Sequence, residues 1–474
     1  MKQILLKIVR LSLFALVVLV TLGALLVAEE NFRGKWAWEK YCSEKAAKGE
    51  RLDFQGLIPP PVPDEQNFAM TPMVRSLFET PPESTGSLYA KFELTPKGPD
   101  KHLPSLGNWT RGQKVDLEDW KRYFEGKEVL TALEEYDGEL REISAAVRRP
   151  YCRFPFQYEK GFALALPICN PFSALGKLYR LRACAELRQG QTEAATADLE
   201  TLIGLANCTK AEPLLILVLV RNVQCISEVQ VLWEGLADHR WSEPQLASIQ
   251  GALAGQDLLT HLHLALRGER AGVNASLLQA VANPKILSSM MGPSDRPQHL
   301  EYLPRGMIYQ NLLTYNRLCD EMLLPADSAS FRTFAERYRE EGTRLVLSSY
   351  LSILGVPVPN PKTVLVANIF PALEHIFERT LYTQVSLDEA VTACALERYW
   401  LANGRYPDSL GDLVPRYLSA VPRDAASGGE LIYKPGVGGN FLLYSVGWNG
   451  VDEGGKPAFS SSHSQEITKG DWVW

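Results

Sequence analysis

The sequence predicts a mainly α protein: an N-terminal transmembrane helix, a helical-hairpin body, and a small C-terminal α+β module with an antiparallel sheet. Three observations lead there. Leu11 to Ala28 is an 18-residue stretch without a charged side chain. Apolar residues recur at near-helical spacing through much of the chain from Asp116 to about Leu354. Beyond Asn403-Gly404 the pattern changes to two short strand-like runs around a glycine-rich turn.

Lys2, Lys7 and Arg10 precede the apolar stretch, and Glu29 and Glu30 close it. At about 1.5 Å of rise per residue the stretch covers about 27 Å, close to the hydrocarbon thickness of a bilayer. A cleaved signal peptide is the competing reading. A signal core is shorter, about 7–15 residues, and ends in a small-x-small site. Here the candidate ending is Leu26-Val27-Ala28, with a bulky Leu at the outer position, so a retained single-pass signal anchor is expected. The basic residues before it place the N-terminus in the cytoplasm and the bulk of the chain outside. Trp36, Trp38 and Tyr41 are candidates for the outer interface, where amphipathic aromatics are favoured.

The expected division is 1–30, cytoplasmic tip and anchor; 31–114, a juxtamembrane helix and proline-rich connector; 115–354, a helical body; and 364–474, the α+β module and tail. Ile58-Pro59-Pro60-Pro61-Val62-Pro63 excludes regular structure and reads as a stiff, extended spacer holding the body off the membrane. A short strand is expected around Leu88 to Leu94. From Asp116 to Val147 the pattern is helical, with Leu117, Trp120, Phe124, Leu130, Leu133, Leu140 and Ile143 in near-helical register.

Helices are expected over 172–188 and 192–206, with Gly190-Gln191 between them in a turn of tetratricopeptide type. Only this one pair has that character and a solenoid needs about three, so a generic helical hairpin is expected. A third helix carries the apolar run Leu214 to Val220, which stops at Arg221-Asn222. Seven apolar residues do not span a bilayer, so this helix belongs in a core. Ser242 with Gln245 three residues on makes a capping box for the next helix. Further helices are expected over 257–272, 307–324 and 330–354. Residues 283–306 read as a loop, and Gly355 to Pro361 as a boundary. A long helix then runs from about Val364 to Asn403, closed by Gly404 as a left-handed cap. Ser409 to Val414 is a single turn, and Glu430–Lys434 and Phe441–Val446 are strands.

The net charge is −6, which argues against a nucleic-acid face. Eight cysteines, at 42, 152, 169, 184, 208, 225, 319 and 394, include no Cys-x-x-Cys pair, so zinc-site spacing is absent. An oxidising compartment permits disulfides, and the spacing leaves their pairing open.

Ala395-Leu396-Glu397-Arg398-Tyr399, Asn403-Gly404-Arg405-Tyr406-Pro407, Leu410 to Val414 and Val421-Pro422-Arg423-Asp424 form a recognisable series. It continues with Leu431-Ile432-Tyr433-Lys434-Pro435-Gly436, Tyr444-Ser445-Val446-Gly447 and Asn449-Gly450-Val451-Asp452-Glu453-Gly454-Gly455. Residues 387–457 resemble the globular domain of type II secretion major pseudopilins. The resemblance implies a helix packed on a small antiparallel sheet. It also implies an acidic C-terminal loop able to hold calcium, for which Asn449, Asp452 and Glu453 are the candidate metal ligands. A solvated glycine-rich turn explains the same residues. A pilin-type chain runs directly from its leader into the apolar helix. Here the apolar segment lies far upstream, so the module reads as a reused domain.

Asp257 and His261, four apart on one helix, are the only acid/base candidates, near Arg267, Glu269 and Arg270. A solvated face with local ion pairs explains them as well, and Glu374, His375, Glu378 and Arg379 read the same way. Gly-x-Ser-x-Gly, His-Glu-x-x-His and phosphate-cradling loops are absent. No catalytic residue or cofactor is therefore expected, calcium apart. The expectation is a membrane-anchored extracytoplasmic protein with a non-catalytic interaction or scaffold role at the cell envelope. Its partners would be the membrane and envelope or secretion-apparatus proteins. The alternatives are a component or partner of a type II secretion or pilus-like apparatus, and an envelope hydrolase using Asp257 and His261.

Overall fold

The structure is a computed structural model that describes residues 2–79, 92, 94, 103–287, 300–322, 331–348, 350–353, 356–369, 374–436, 439–461 and 465–474. Apart from Phe92 and Leu94, the strand expected around Leu88 lies outside the described residues.

The chain is mainly helical and begins with one unbroken helix, α1 (Lys2–Ala47). From residue 6 to 29 every described side chain is exposed. From residue 30 the helix changes character. Glu30, Gly34, Trp38, Tyr41 and Lys45 are buried, at intervals of three or four that put them on one face. That face lies along α11 (Arg305–Met322). The backbones touch where Gly34 meets Gly306: a Cβ on Gly34 would stand 2.5 Å from the Gly306 carbonyl oxygen. The Gly306 N–H donates to Asn31 Oδ1 at 2.7 Å. Higher up, the Tyr41 hydroxyl donates to Asp320 (2.8 Å), and Lys45 Nζ pairs with the same carboxylate at 2.7 Å. Of the three aromatics expected at the interface, Trp38 and Tyr41 are therefore turned into the protein, and Trp36 remains exposed.

The proline-rich segment does not bridge a gap. Arg153 Nε donates to the Pro59 carbonyl (2.8 Å), and Arg149 donates to Asn67 O (2.9 Å), so the chain from 59 to 67 is laid along the body. The body is held by α1 itself. After α2 (Pro72–Glu79), the periodic stretch from Asp116 breaks into α3 (Leu117–Tyr123), α4 (Val129–Leu133) and α5 (Asp137–Ala146). Gly126 separates the first two with a φ of 90°, which no helix accommodates.

The body proper is α6 (Cys169–Arg188), α7 (Thr192–Cys208), α8 (Leu215–Ala237), α9 (Glu243–Ala254) and α10 (Leu258–Ala282). α6 and α7 form the expected hairpin. Arg182 clamps it with two bonds to buried Asp198, Nε–Oδ2 at 2.7 Å and Nη2–Oδ1 at 2.6 Å. Ser242 and Gln245 form the capping box that opens α9. The third helix is buried on most sides, as expected, and continues past Arg221-Asn222 to Ala237 with those polar side chains buried as well.

α12 (Phe331–Ser348) is followed by a hairpin, β1 (Tyr350–Ile353) against β2 (Val356–Pro359), where the sequence suggested more helix and then a boundary. The long helix expected from Val364 is two: α13 (Val364–Ile369) and α14 (Glu374–Asn403), with Pro371 between them in the sequence. Gly404 closes α14 at φ 70°, its N–H on the Trp400 carbonyl at 2.7 Å. A three-stranded antiparallel sheet follows: β3 (Ile432–Pro435), β4 (Phe441–Ser445) and the C-terminal β7 (Trp472–Val473), in the order β3-β4-β7. The pair β5 (Pro457–Phe459) and β6 (Gln465–Gly470) stands beside it. α14 packs on this sheet with one side and on α8, α9 and α10 with others.

Candidate functional site

The two residues expected to share a face on α10 have separate tasks. Asp257 is the N-cap: its Oδ1 accepts the Thr260 N–H at 2.9 Å and its Oδ2 the Thr260 hydroxyl. His261 is not on a solvated face. It is 2% exposed, and its Nε2 lies 3.1 Å from the Glu212 carbonyl oxygen, which fixes Nε2 as the donor. Burial, with the Arg221 charge nearby, pushes its pKa down to about 3, so the ring stays neutral. A neutral imidazole closed inside the core meets no substrate. His375 follows the plainer expectation, and the Glu374 side chain lies outside those described. His375 lies in solvent 3.4 Å from Glu378, and Arg339 ties Glu378 to α12 at 2.9 Å.

The C-terminal loop holds itself together. The Asn449 amide donates to Glu453 Oε1 (2.7 Å), and Asn449 Oδ1 accepts the Val451 N–H (3.0 Å). Asp452 Oδ1 accepts the Tyr444 hydroxyl at 2.9 Å and the Gly454 N–H at 2.8 Å. Those donors hold the Asp452 carboxyl below its ordinary range. Buried Asp471 accepts the backbone N–H groups of Glu453, Gly455 and Lys456. Protein donors thus occupy Asp452 Oδ1, Glu453 Oε1 and Asn449 Oδ1, while Glu453 Oε2 is buried without a hydrogen bond. Among the described residues, no group of three or more His, Cys, Asp or Glu could hold a metal.

Two arrangements had no signal in the sequence. The first is a polar stripe buried along α8. Arg221 donates to the Asp257 carbonyl (3.1 Å), Asn222 to Thr380 (3.0 Å), Gln224 to the Phe172 carbonyl and Gln230 to the Gln113 carbonyl (3.1 Å). Glu228 accepts from Gln256, and Glu234 accepts the Val115 N–H at 2.7 Å. One helix thereby pins four separate segments. Such bonds are each worth about 0.5–1.5 kcal/mol net, and more is lost when one partner is removed.

The second is a surface dyad at the end of α8. His239 Nδ1 lies 2.6 Å from Glu397 Oε1, the Tyr406 hydroxyl donates to Glu397 Oε2 at 2.9 Å, and the His239 ring stacks on Trp400 at 4.1 Å. The carboxylate is buried and orients the ring. Among the described residues, no serine or cysteine hydrogen-bonds that imidazole, so the dyad has no nucleophile attached to it. Its two members lie 158 positions apart, beyond any local pattern. An open groove of about 620 Å³ lies elsewhere, between α1 and α10, lined by Trp38, Cys42, Leu52, Asn274 and Leu278.

No known family, no curated protein and no solved structure matches the chain.

Proposed function

We propose that this chain is a single-pass, membrane-anchored extracytoplasmic protein with a non-catalytic interaction or scaffold role at the cell envelope. The observation that carries the reading is the two-part character of α1. Its first part is apolar and exposed on every side, as lipid requires. Its second part is built into the body through Glu30, Gly34, Trp38, Tyr41 and Lys45. Anchor and body share one helix, which suits a retained anchor better than a leader to be removed. The envelope-hydrolase alternative rested on Asp257 and His261, whose separate engagements lend it no support.

The test is membrane extraction and topology on the full chain. The protein is expected in the membrane pellet after alkaline carbonate washing. Protease added outside should digest the body, and the mature N-terminus should precede Leu11. Recovery of the body from the soluble cytosolic fraction would sink the reading. A mature terminus at Glu29 would replace the anchor with a cleaved signal.

The second reading, a component or partner of a type II secretion or pilus-like apparatus, draws support from α14 packed on the β3-β4-β7 sheet. The other contacts of α14, with α8, α9 and α10, leave less of that helix for stacking in a filament. A partner role fits this better than polymerisation.

A further inference from the structure

The eight cysteines are not equally placed. Cys152 sits in a short extended segment that two neighbours clamp from opposite sides. On one side, Phe68 N–H donates to the Tyr151 carbonyl at 2.8 Å and Tyr151 N–H to the Gln66 carbonyl at 3.2 Å. Asn67 adds a two-way bond with the Arg153 backbone, at 2.9 Å in each direction. On the other side, Phe154 N–H donates to Glu212 Oε1 at 3.1 Å, and the Tyr158 hydroxyl donates to the same carboxylate. Glu212 stands four residues beyond Cys208, the last residue of α7. These bonds fix residues 151–154 beside residues 208–212, and inside that layer the Cys152 thiol is close enough to the Cys208 thiol to interact with it. Among the described residues, no other two cysteines are brought into such contact.

We infer that Cys152 and Cys208 are joined by a disulfide in the mature protein. Each thiol loses its proton, an S–S bond forms between the two Sγ atoms, and the two electrons reduce an external disulfide to two thiols. That oxidant is a thiol–disulfide oxidoreductase of the outer compartment or a small-molecule disulfide. The bridge ties the segment after α5 to the end of α7, across a loop the hydrogen bonds already close. Burial and the neighbouring thiol push Cys152 well above the ordinary thiol range, so little thiolate exists once the layer has packed. Bond formation therefore belongs to folding, while the segment is still open. Cys184, Cys225 and Cys394 are buried and stay reduced.

The inference takes its cellular oxidant from the extracytoplasmic placement proposed above, and the experiment separates the two. The full chain is taken from membranes whose topology has been mapped by outside protease. Thiols are blocked with N-ethylmaleimide in denaturant without reductant, and the peptides are mapped by mass spectrometry. The expected result is a linked pair of peptides containing Cys152 and Cys208, with the other six of the eight cysteines blocked. In Cys152→Ser, all seven remaining thiols should be blocked, whereas Cys184→Ser should keep the linked pair and leave five blocked. A second arm refolds reduced, detergent-solubilised chain in a mixture of reduced and oxidised glutathione. A bridge formed there but missing in cells upholds the pair and overturns the placement. Eight blocked cysteines in both arms, or a bridge between other residues, overturn the pair.

Discussion

Among the described residues, two helices, α1 and α8, are long and apolar enough to cross a membrane, and they end in opposite surroundings. The apolar window of α1 is wholly exposed, whereas 78% of that of α8 is buried. α1 is the more apolar, with a mean hydropathy of 2.8 against 1.6, yet both pass for spans. What separates them is where their polar groups go. Residues 11–28 of α1 carry no charge, and Thr21 turns its hydroxyl back onto the Val17 carbonyl at 2.8 Å. α8 carries Arg221, Glu228 and Glu234 among its apolar residues, and each bonds to another part of the chain. In lipid those groups would have no partners. A helix with an inward polar stripe is a hub of a folded core, and one without a stripe needs no protein around it.

The largest expected effect breaks this comparison at a glycine on each helix. On α8, a Cβ at Gly235 would stand 2.1 Å from Nε1 of Trp241, itself buried and bonded to the Leu232 carbonyl. On α1, a Cβ at Gly23 meets nothing within 4 Å. Gly235→Leu should cost about 3 kcal/mol or more by overpacking, lower the melting temperature sharply, and reduce yield. Gly23→Leu should leave the melting of the body unchanged and the chain in the membrane fraction. Equal losses from both would mean that α1 is packed like a core helix. Differential scanning fluorimetry of the two variants in detergent decides it.

A smaller effect sharpens the account of the stripe. Glu228 is fully buried, and burial raises its carboxyl from 4.5 to about 7. The folded state therefore binds more protons than the unfolded one between those values. Stability from this group is highest below about pH 4.5 and declines as pH rises to 7 and beyond, by roughly 3 kcal/mol in all. Glu228→Gln, which keeps an acceptor for Gln256, removes that slope. The variant should be more stable than the parent at pH 8 and lose the advantage at pH 4.5, in parallel urea denaturations. An equal change at both values would show that the side chain acts through packing alone.

The contrast also explains what could be read from the sequence. Residues 11–28 announce themselves because lipid demands an uninterrupted apolar surface, a rule about each residue separately. The α6–α7 hairpin, the Ser242 capping box and the Gly404 cap were legible for a similar reason, since each is a local bond between near neighbours. The burial of Arg221 within α8 was hidden, because a buried arginine looks like a surface arginine until its carbonyl partner, 36 positions on, is in place. The role of His261 was hidden the same way: its partner is a backbone oxygen 49 positions earlier. Of the expected interface aromatics, only the Gly34–Gly306 crossing reveals which face of α1 turns inward. The last strand, β7, has two residues and pairs with β4 from 27 positions or more away, so no periodicity could mark it.

The smallest effect concerns Asn449, Asp452 and Glu453, where the same question applies: do polar groups find their partners inside the protein or outside it? If the loop resembles α8, the bonds of Asp452 Oδ1 with Tyr444 and Gly454, and of Glu453 Oε1 with Asn449, suffice to hold it, and calcium adds nothing. Melting curves with excess calcium and with a calcium chelator should then coincide. Asp452→Ala, which removes the acceptor of the Tyr444 hydroxyl and the Gly454 N–H, should lower the melting temperature only slightly and equally in both buffers. A chelator-induced drop in melting temperature that Asp452→Ala abolishes would reverse this. It would make the loop like α1, a part of the chain completed by something it does not itself contain.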